Sequence, residues 1–327
     1  MQTISRRGFV ISAAAAGAAF GLNGPLELIP AARAQGADPA AKGIAKFKVG
    51  DWNVTTIYDG VWERAIDANL ARNAPLEEVK AASKAAGHPD GVTPITFTIT
   101  IVQKGDHTIM FDSGTGGGQA GGPKAGLLAK QNLAAAGIKA DQIKTIIVTH
   151  YHGDHIFGMM EKDTNKLLFP EAEIIVPASE HKYWTDPALI ARLPEARRPL
   201  AQRIQATLPN WKNVKQVDDG AEVIAGVRSI NTNGHTPGHT SYELVSGGQK
   251  LVVSGDVTNI HALFLKNPEW HFVGDQDPAL AVRNRKSFFE KAVADGAVVT
   301  GYHWGMPGAG TIKKDGNGYA LVPVSAA

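Results

Sequence analysis

Thr149-His150-Tyr151-His152-Gly153-Asp154-His155 places three imidazoles and one carboxylate within six positions, directly after the apolar run Thr145-Ile146-Ile147-Val148. Imidazole nitrogen and carboxylate oxygen suit zinc and similar divalent cations, and such groups crowded together without a cation would be costly to desolvate. On a helix these spacings would spread the side chains around the circumference. A loop at the carboxyl end of a buried strand can instead turn all four onto one point. Packed histidines beside a turn aspartate would explain one such cluster without a metal. Three later strand ends weigh against that reading: His235 in Asn233-Gly234-His235-Thr236-Pro237-Gly238-His239, Asp256 after Ser254-Gly255, and His303 after Gly301-Tyr302. Together the seven donors are enough for two divalent cations that share a carboxylate and leave room for water. Spacing alone leaves His235 and His239 open as alternatives, because both flank the same Thr236-Pro237-Gly238 turn.

The elements that must position these residues are legible as periodic runs. Residues 49–59, 93–102, 107–112, 145–148 and 173–176 read as strands, as do 227–232, 241–245, 250–254 and 297–301. Helices are expected over 75–86, over 124–136 closed by Gly137, over 179–208 with breaks at Pro187, Pro194 and Pro199, and over 278–294. Gly114 to Gly122 reads as a flexible loop. The order is two strand-rich halves, each with helices, which predicts sheets packed face to face with helices outside.

Residues 1–34 differ in kind. Ser5-Arg6-Arg7-Gly8-Phe9-Val10 precedes an alanine-rich apolar run and then Ala32-Arg33-Ala34, the pattern of a removable export signal of the twin-arginine type. This predicts export to a bacterial periplasm, a flexible leader over 35–46, a catalytic domain over 47–327 and no membrane association after cleavage. Setting aside Arg6, Arg7, Arg33 and Glu27 from the 33 basic and 31 acidic residues leaves a balanced chain. No basic footprint for nucleic acid remains. The arginines at 192, 197, 198 and 203 are expected on a solvated helix face. With no cysteine the chain has neither disulfides nor thiolate ligands.

The pattern His150-x-His152-x-Asp154-His155, then Gly234-His235-Thr236-Pro237-Gly238-His239, Gly255-Asp256 and His303 resembles the metallo-β-lactamase superfamily over residues 47–327. Within it, the chain is most similar to the methyl parathion hydrolases and related exported lactonases and arylesterases, which share Gly50-Asp51, the segment from His235 to Thr240 and a tail like Gly316-Asn317-Gly318-Tyr319. The resemblance implies an αββα sandwich with a dinuclear site at one edge of the sheets. It also implies that His150, His152 and His235 hold one metal, that Asp154, His155 and His303 hold the other, and that Asp256 bridges. Asp112, in Phe111-Asp112-Ser113-Gly114, matches the aspartate that orients a ligand loop, and His239 becomes an outer partner of the metal site. Zinc β-lactamases with a cysteine ligand are excluded by composition, and flavodiiron proteins carry a glutamate where His152 stands.

The expected function is a dinuclear metal-dependent hydrolase in which hydroxide shared by two cations attacks a carbonyl carbon or phosphorus, with Asp154 orienting the nucleophile and carrying its proton. Zinc is the expected metal, with manganese, iron and cobalt as substitutes. The expected substrate is a neutral, partly apolar small molecule, a lactone or aryl ester. Trp184, Phe264 and Trp304 are assigned by resemblance to the pocket, along with Leu263, Leu265, Trp270 and Phe272, about half of which should face the site. No arginine pair is expected there. The glycine-rich loop lacks the aromatic of methyl parathion hydrolases, which leaves phosphotriester cleavage as a side activity. Lactonases of the superfamily carry a tyrosine where Asn259 stands. His88, His107, His181, His261 and His271 read as ordinary polar residues, of which His261 should come nearest the pocket. The alternatives are a mononuclear iron persulfide dioxygenase and a glyoxalase II-like thioesterase on the same fold. A homodimer is compatible with either.

Overall fold

The computed structural model describes residues 43–325 except 117–121, 123, 162, 163 and 165. The stretch read as an export signal, most of that read as a leader and most of the glycine-rich loop therefore lie outside the described residues. Two sheets of seven strands each form the frame. The first runs in spatial order β1 (Ile44–Val49), β2 (Trp52–Ala65), β3 (Val92–Lys104), β4 (His107–Phe111), β5 (Ile143–Ile147), β6 (Glu173–Pro177), β7 (Val214–Val217). The second contains β8 (Glu222–Ile224), β9 (Val227–Asn231), β10 (Thr240–Ser246), β11 (Gln249–Val253), β12 (Val298–Thr300), β13 (Ala309–Asp315) and β14 (Gly318–Pro323), in reverse spatial order from β14 to β8.

Strand side chains alternate between faces, and the three cores follow that period. Ile101 and Ile146 face a helical layer with Val79, Leu133 and Ile204, while their neighbours Val102 and Ile147 meet Tyr242, Leu244 and Leu251 between the sheets. On the far side, Val252 and Val299 pack on Phe288, Phe289 and Ala292. The layers are therefore α, β, β, α, as the runs of strands and helices predicted.

The helices include α1 (Leu76–Ala85), the short α2 (Gly153–Ile156), α3 (Ala178–Thr185), α4 (Arg198–Thr207), the short α5 (His261–Phe264) and α6 (Pro278–Asp295). In α6 local signals agree with the outcome. Asp277 accepts the Leu280 N–H at 3.0 Å as an N-cap, Pro278 opens the first turn, and Gly296 closes it at φ 59°. Pro199 likewise lies in the first turn of α4 and so starts a helix that it was expected to break.

Other expectations needed correction. The run 49–59 is not one strand, because Gly50-Asp51 turns the chain between β1 and β2, and β1 begins at Ile44, inside the stretch read as leader. Strand β2 also continues to Ala65, because a bulge between Tyr58 and Gly60 resets its register on β3. Only glycine fits at position 60. Its φ is +131° and a Cβ would lie 2.3 Å from the Lys124 carbonyl oxygen. Strands β7, β8, β13 and β14 were not anticipated, and 124–136 holds a π-turn at Leu128–Asn132 followed by only Leu133–Ala135 in α-helix.

Direction decides where the site forms. β4, β5 and β6 are mutually parallel. In the other sheet β10 is antiparallel to both β9 and β11, and β11 is parallel to β12, so β9, β11 and β12 end at the same edge. The two edges are tied by Thr240 N–H donating to the Thr149 carbonyl at 3.0 Å and Tyr242 Oη donating to the Val148 carbonyl at 2.9 Å.

Candidate metal centre

The loop after β5 is held by a buried carboxylate before any metal is considered. Asp112 takes a left-handed φ of 59°, which aspartate tolerates better than most residues. Its two oxygens accept the Thr149 N–H and Thr149 hydroxyl, both at 2.8 Å, while Oδ2 also meets His155 Nδ1 at 2.8 Å. With His155 Nδ1 engaged, its Nε2 points to the site. Tyr302 stacks on the same imidazole, 3.8 Å between centroids, and donates its hydroxyl to the Asp154 carbonyl at 2.5 Å.

The structure brings all seven expected residues together. His152 Nδ1 lies 3.0 Å from His150 Nε2 and 2.9 Å from His235 Nε2. One imidazole lone pair cannot satisfy two ring nitrogens, whereas ligands of a tetrahedral cation at about 2.0–2.1 Å stand ~3.3 Å apart. On the other side, Asp154 Oδ2 lies 3.6 Å from His155 Nε2 and 3.5 Å from His303 Nε2. Asp256 sits between the groups, with Oδ1 3.3 Å from His155 Nε2 and Oδ2 3.2 Å from His235 Nε2 and 3.0 Å from His303 Nε2. His155 Nε2 and Asp256 Oδ1 are both buried without a hydrogen-bond partner. Unsatisfied buried donors at the meeting point of three ligand triads are what a site for divalent cations requires, so the residues present fit the group.

Electrostatics point the same way. Burial, with the neighbouring histidines adding to it, lowers the pKa of His150 and His152 well below the usual value. Burial also opposes protonation of His235, but Asp256 and Asp275 outweigh it and raise that group to about 9. His155 is raised well above the ordinary value against the effect of burial, by Asp256, Asp112 and Asp154. Burial resists ionisation of Asp256, yet His303, His155 and His235 hold it well below the usual carboxylate range. The cluster therefore keeps a buried anion charged, and only cationic neighbours make that affordable.

His239 differs from His235. Its Nε2 accepts the Asp256 N–H at 2.9 Å and its Nδ1 meets Thr232 Oγ1 at 2.8 Å, while burial drives it to about pKa 3, a neutral ring. Three supports had no sequence signal. Asp275 holds His235 Nδ1 at 2.9 Å and is itself paired with the buried Arg285 at 3.0 Å. The Thr96 carbonyl fixes His303 Nδ1 at 2.8 Å. Glu180, on α3, accepts Tyr151 N–H and Trp184 Nε1–H on one oxygen, at 2.9 and 2.6 Å, and Thr236 Oγ1–H and Gly238 N–H on the other, at 2.8 and 2.9 Å. Gly238 is required there, since a Cβ would come 2.1 Å from the Glu180 nitrogen.

The donors open into a cleft of about 570 Å³, whose lining includes His152, Asp154, Asp256 and His303 below walls of Ile95, Phe97, Trp184 and Phe272. Trp184 thus lies where expected. Phe264 and Trp304 do not: Phe264 is buried behind Phe272, edge-on at 5.3 Å and beneath Arg285, and Trp304 is buried in the β–α6 core with its Nε1–H on the Thr258 carbonyl. Of the other aromatic and aliphatic candidates only Phe272 lines the cleft; Leu263, Leu265 and Trp270 are core. Asn259 does line it and donates to Asp256 Oδ2 at 3.4 Å. The expectation about arginine is also corrected, since Arg64 and Arg197 both line the cleft.

His261 does not reach the cleft and packs 6.0 Å from the Trp304 ring instead. Burial, with a smaller effect of His88, lowers its pKa from 6.5 to about 4. The unfolded chain therefore binds a proton below about pH 6.5 that the fold refuses until about pH 4, and stability falls across that window. In metal-stripped protein, urea titrations at pH 7 and 5 should show an acid loss about 2 kcal/mol smaller in His261→Asn than in the wild type. Equal losses would refute the assignment.

An αββα frame of two mixed sheets with clustered imidazoles and carboxylates at the strand ends defines a metal-dependent hydrolase. The chain belongs to the metallo-beta-lactamase superfamily, whose profile matches residues 98–299. Among solved structures it is similar to AidC, a dizinc quorum-quenching lactonase in complex with a product, at 28% identity and TM-score 0.79 over 87% of this chain and 98% of that one. It is equally similar to the hydrolase AbOPH of the beta lactamase superfamily, at 29% identity and TM-score 0.79 over the same shares, 87% and 98%. The uncharacterized protein YobT of Bacillus subtilis (strain 168) is 26% identical over 154 residues, 46% of this chain and 60% of that protein, so the match spans less than two thirds of that relative.

Proposed function

We propose that the protein is a dinuclear hydrolase that opens a partly apolar lactone or aryl ester, with zinc as the metal. The observation that carries this reading is the convergence of seven nitrogen and oxygen donors, two of them buried and unsatisfied, at the base of an apolar cleft. The similarity to a dizinc lactonase that holds its product supports the lactone. His150, His152 and His235 would hold one cation, Asp154, His155 and His303 the other, with Asp256 between them. Such a pair, when bound, supplies water ionised near neutral pH and polarises a carbonyl oxygen.

The chain's own residues do the rest. Asp154 keeps 23% of its side chain exposed, faces the cleft and hangs from the loop braced by Tyr302, so it can orient the attacking water and carry a proton to the leaving oxygen. Ile95, Phe97, Trp184 and Phe272 receive the acyl or aryl portion and exclude bulk water. Asn259 offers an amide N–H beside Asp256, in the place of a lactonase tyrosine. Residues 1–34 carry the paired arginines and the apolar run that support export to a bacterial periplasm.

Metal analysis of the mature protein, with turnover measured on lactones, aryl esters, phosphotriesters and β-lactams, tests the reading. Two divalent ions per chain are expected, with hydrolysis of a lactone or aryl ester that chelation abolishes, restored metal recovers, and His150→Ala lacks. One iron per chain together with oxygen uptake on a persulfide would replace the reading with a dioxygenase, and full activity in His150→Ala would sink it outright.

A further inference from the structure

Two guanidinium groups line the cleft that the proposed hydrolysis does not use. Trp62 and Arg64 stand two residues apart on β2 and so share a face, and β3 sets Ile95 opposite Trp62. Trp62, 46% exposed, is one of few large apolar residues left open to solvent. Arg64 is the reverse: its side chain is 13% exposed, its Nη2 touches Asp67 Oδ1 at 3.4 Å, and its Nη1 is buried with no hydrogen-bond partner. Asp67 is 51% exposed and does not line the cleft, so that ion pair is screened and leaves half of the guanidinium fork unused. Arg197 reaches the same cleft from the other side of the sequence, at the end of the turn Glu195–Arg197, and has no ion-pair partner among the described residues.

The acidic groups of the cleft, Asp154 and Asp256, lie among the histidines at its base and are consumed by cations in the loaded enzyme. The lining also holds the Trp62 indole and the two arginines. A buried guanidinium nitrogen without an acceptor is costly, and a planar anion is the ligand whose geometry satisfies it.

We infer that Arg64 and Arg197 form a carboxylate-binding subsite, and that the substrate is an ester or lactone with an apolar body and an anionic group remote from the scissile bond. This rests on the hydrolase reading and removes the ground for a neutral substrate, which was the supposed lack of arginines near the site. The carboxylate is recognised by charge-assisted hydrogen bonds, and Trp62 covers the apolar segment beside it.

The test uses zinc-loaded protein and two aryl esters of equal chain length, an aryl hexanoate and the monoaryl ester of adipic acid. The anionic ester should have a KM about tenfold lower, and this advantage should shrink as salt rises. Arg64→Met and Arg197→Met should each raise the KM of the anionic ester about tenfold, leaving both parameters of the neutral ester within about twofold of the wild type. Arg64→Lys keeps the charge and should retain part of the preference, which separates recognition from disturbed folding. Equal KM values for the two esters in the wild type, or variants that weaken both alike, would overturn the inference. Binding of the unreactive monoarylamide of adipic acid, followed by calorimetry, gives a readout without turnover. If neither ester is hydrolysed but the amide binds and Arg64→Met abolishes that binding, the subsite stands and the hydrolase reading fails.

Discussion

Asp256→Ala should lower kcat/KM for the best ester or lactone by on the order of 10³-fold or more and leave fewer than two metal ions per chain. The carboxylate is in contact with members of both donor sets: Oδ1 meets His155, and Oδ2 meets His235 and His303 at 3.2 and 3.0 Å. Its side chain is 2% exposed, so water cannot replace it without opening the site. Removing it leaves three imidazoles facing one another with no anion between them. The effect should fall on kcat and metal content together, because the same atoms serve both. Stoichiometric metal analysis with steady-state kinetics checks this, and a variant that keeps two ions and activity within about tenfold of the wild type would rule out a bridging role. The Asp256 backbone N–H still donates to His239 in the variant, so the fold around it should persist.

Glu180→Ala should destabilise the protein by about 3–5 kcal/mol, the largest stability loss expected of any single residue outside the apolar cores. Glu180 is fully buried, and no cation is among its hydrogen-bond partners. Burial raises its pKa, and four donors from Tyr151, Trp184, Thr236 and Gly238 oppose that rise. Two of these donors belong to the loop that carries His235 and one to the loop that carries His150 and His152, so the carboxylate is the strut between the two halves of the metal centre. Alanine strands all four donors. Glutamine keeps the size but sets an NH₂ against two of them, so its loss should fall between alanine and the wild type. Thermal or urea unfolding of metal-stripped protein measures the stability directly. A change below about 1 kcal/mol in Glu180→Ala would show that the loops are held by packing alone.

These two residues differ in how they could be found. Asp256 ends an apolar run in Gly255-Asp256 and belongs to a set of strand-end donors, so its place was legible from spacing. Glu180 is a lone acid on an ordinary helix face, and nothing around it in the chain marks it as buried. Asp275 is similar, since its partners His235 and Arg285 are 40 and 10 residues away. Arg64 and Trp62 escaped notice for a different reason. The strand seemed to stop at Asp59, and the bulge at Tyr58/Gly60 that carries it on to the cleft depends on the close approach of Lys124 and Ala125.

By itself the sequence determined the donor chemistry, the αββα layering and most of the strands that end at the site, because each is written in local period and in the affinity of imidazole and carboxylate for cations. Only the tertiary structure decided that His235 faces the other donors while His239 accepts from Asp256, that Phe264 and Trp304 are core while Phe272 lines the cleft, and that two arginines line it as well. Those outcomes depend on which way a side chain points once distant strands have met. Strand direction and register set that, and no short stretch of chain contains them.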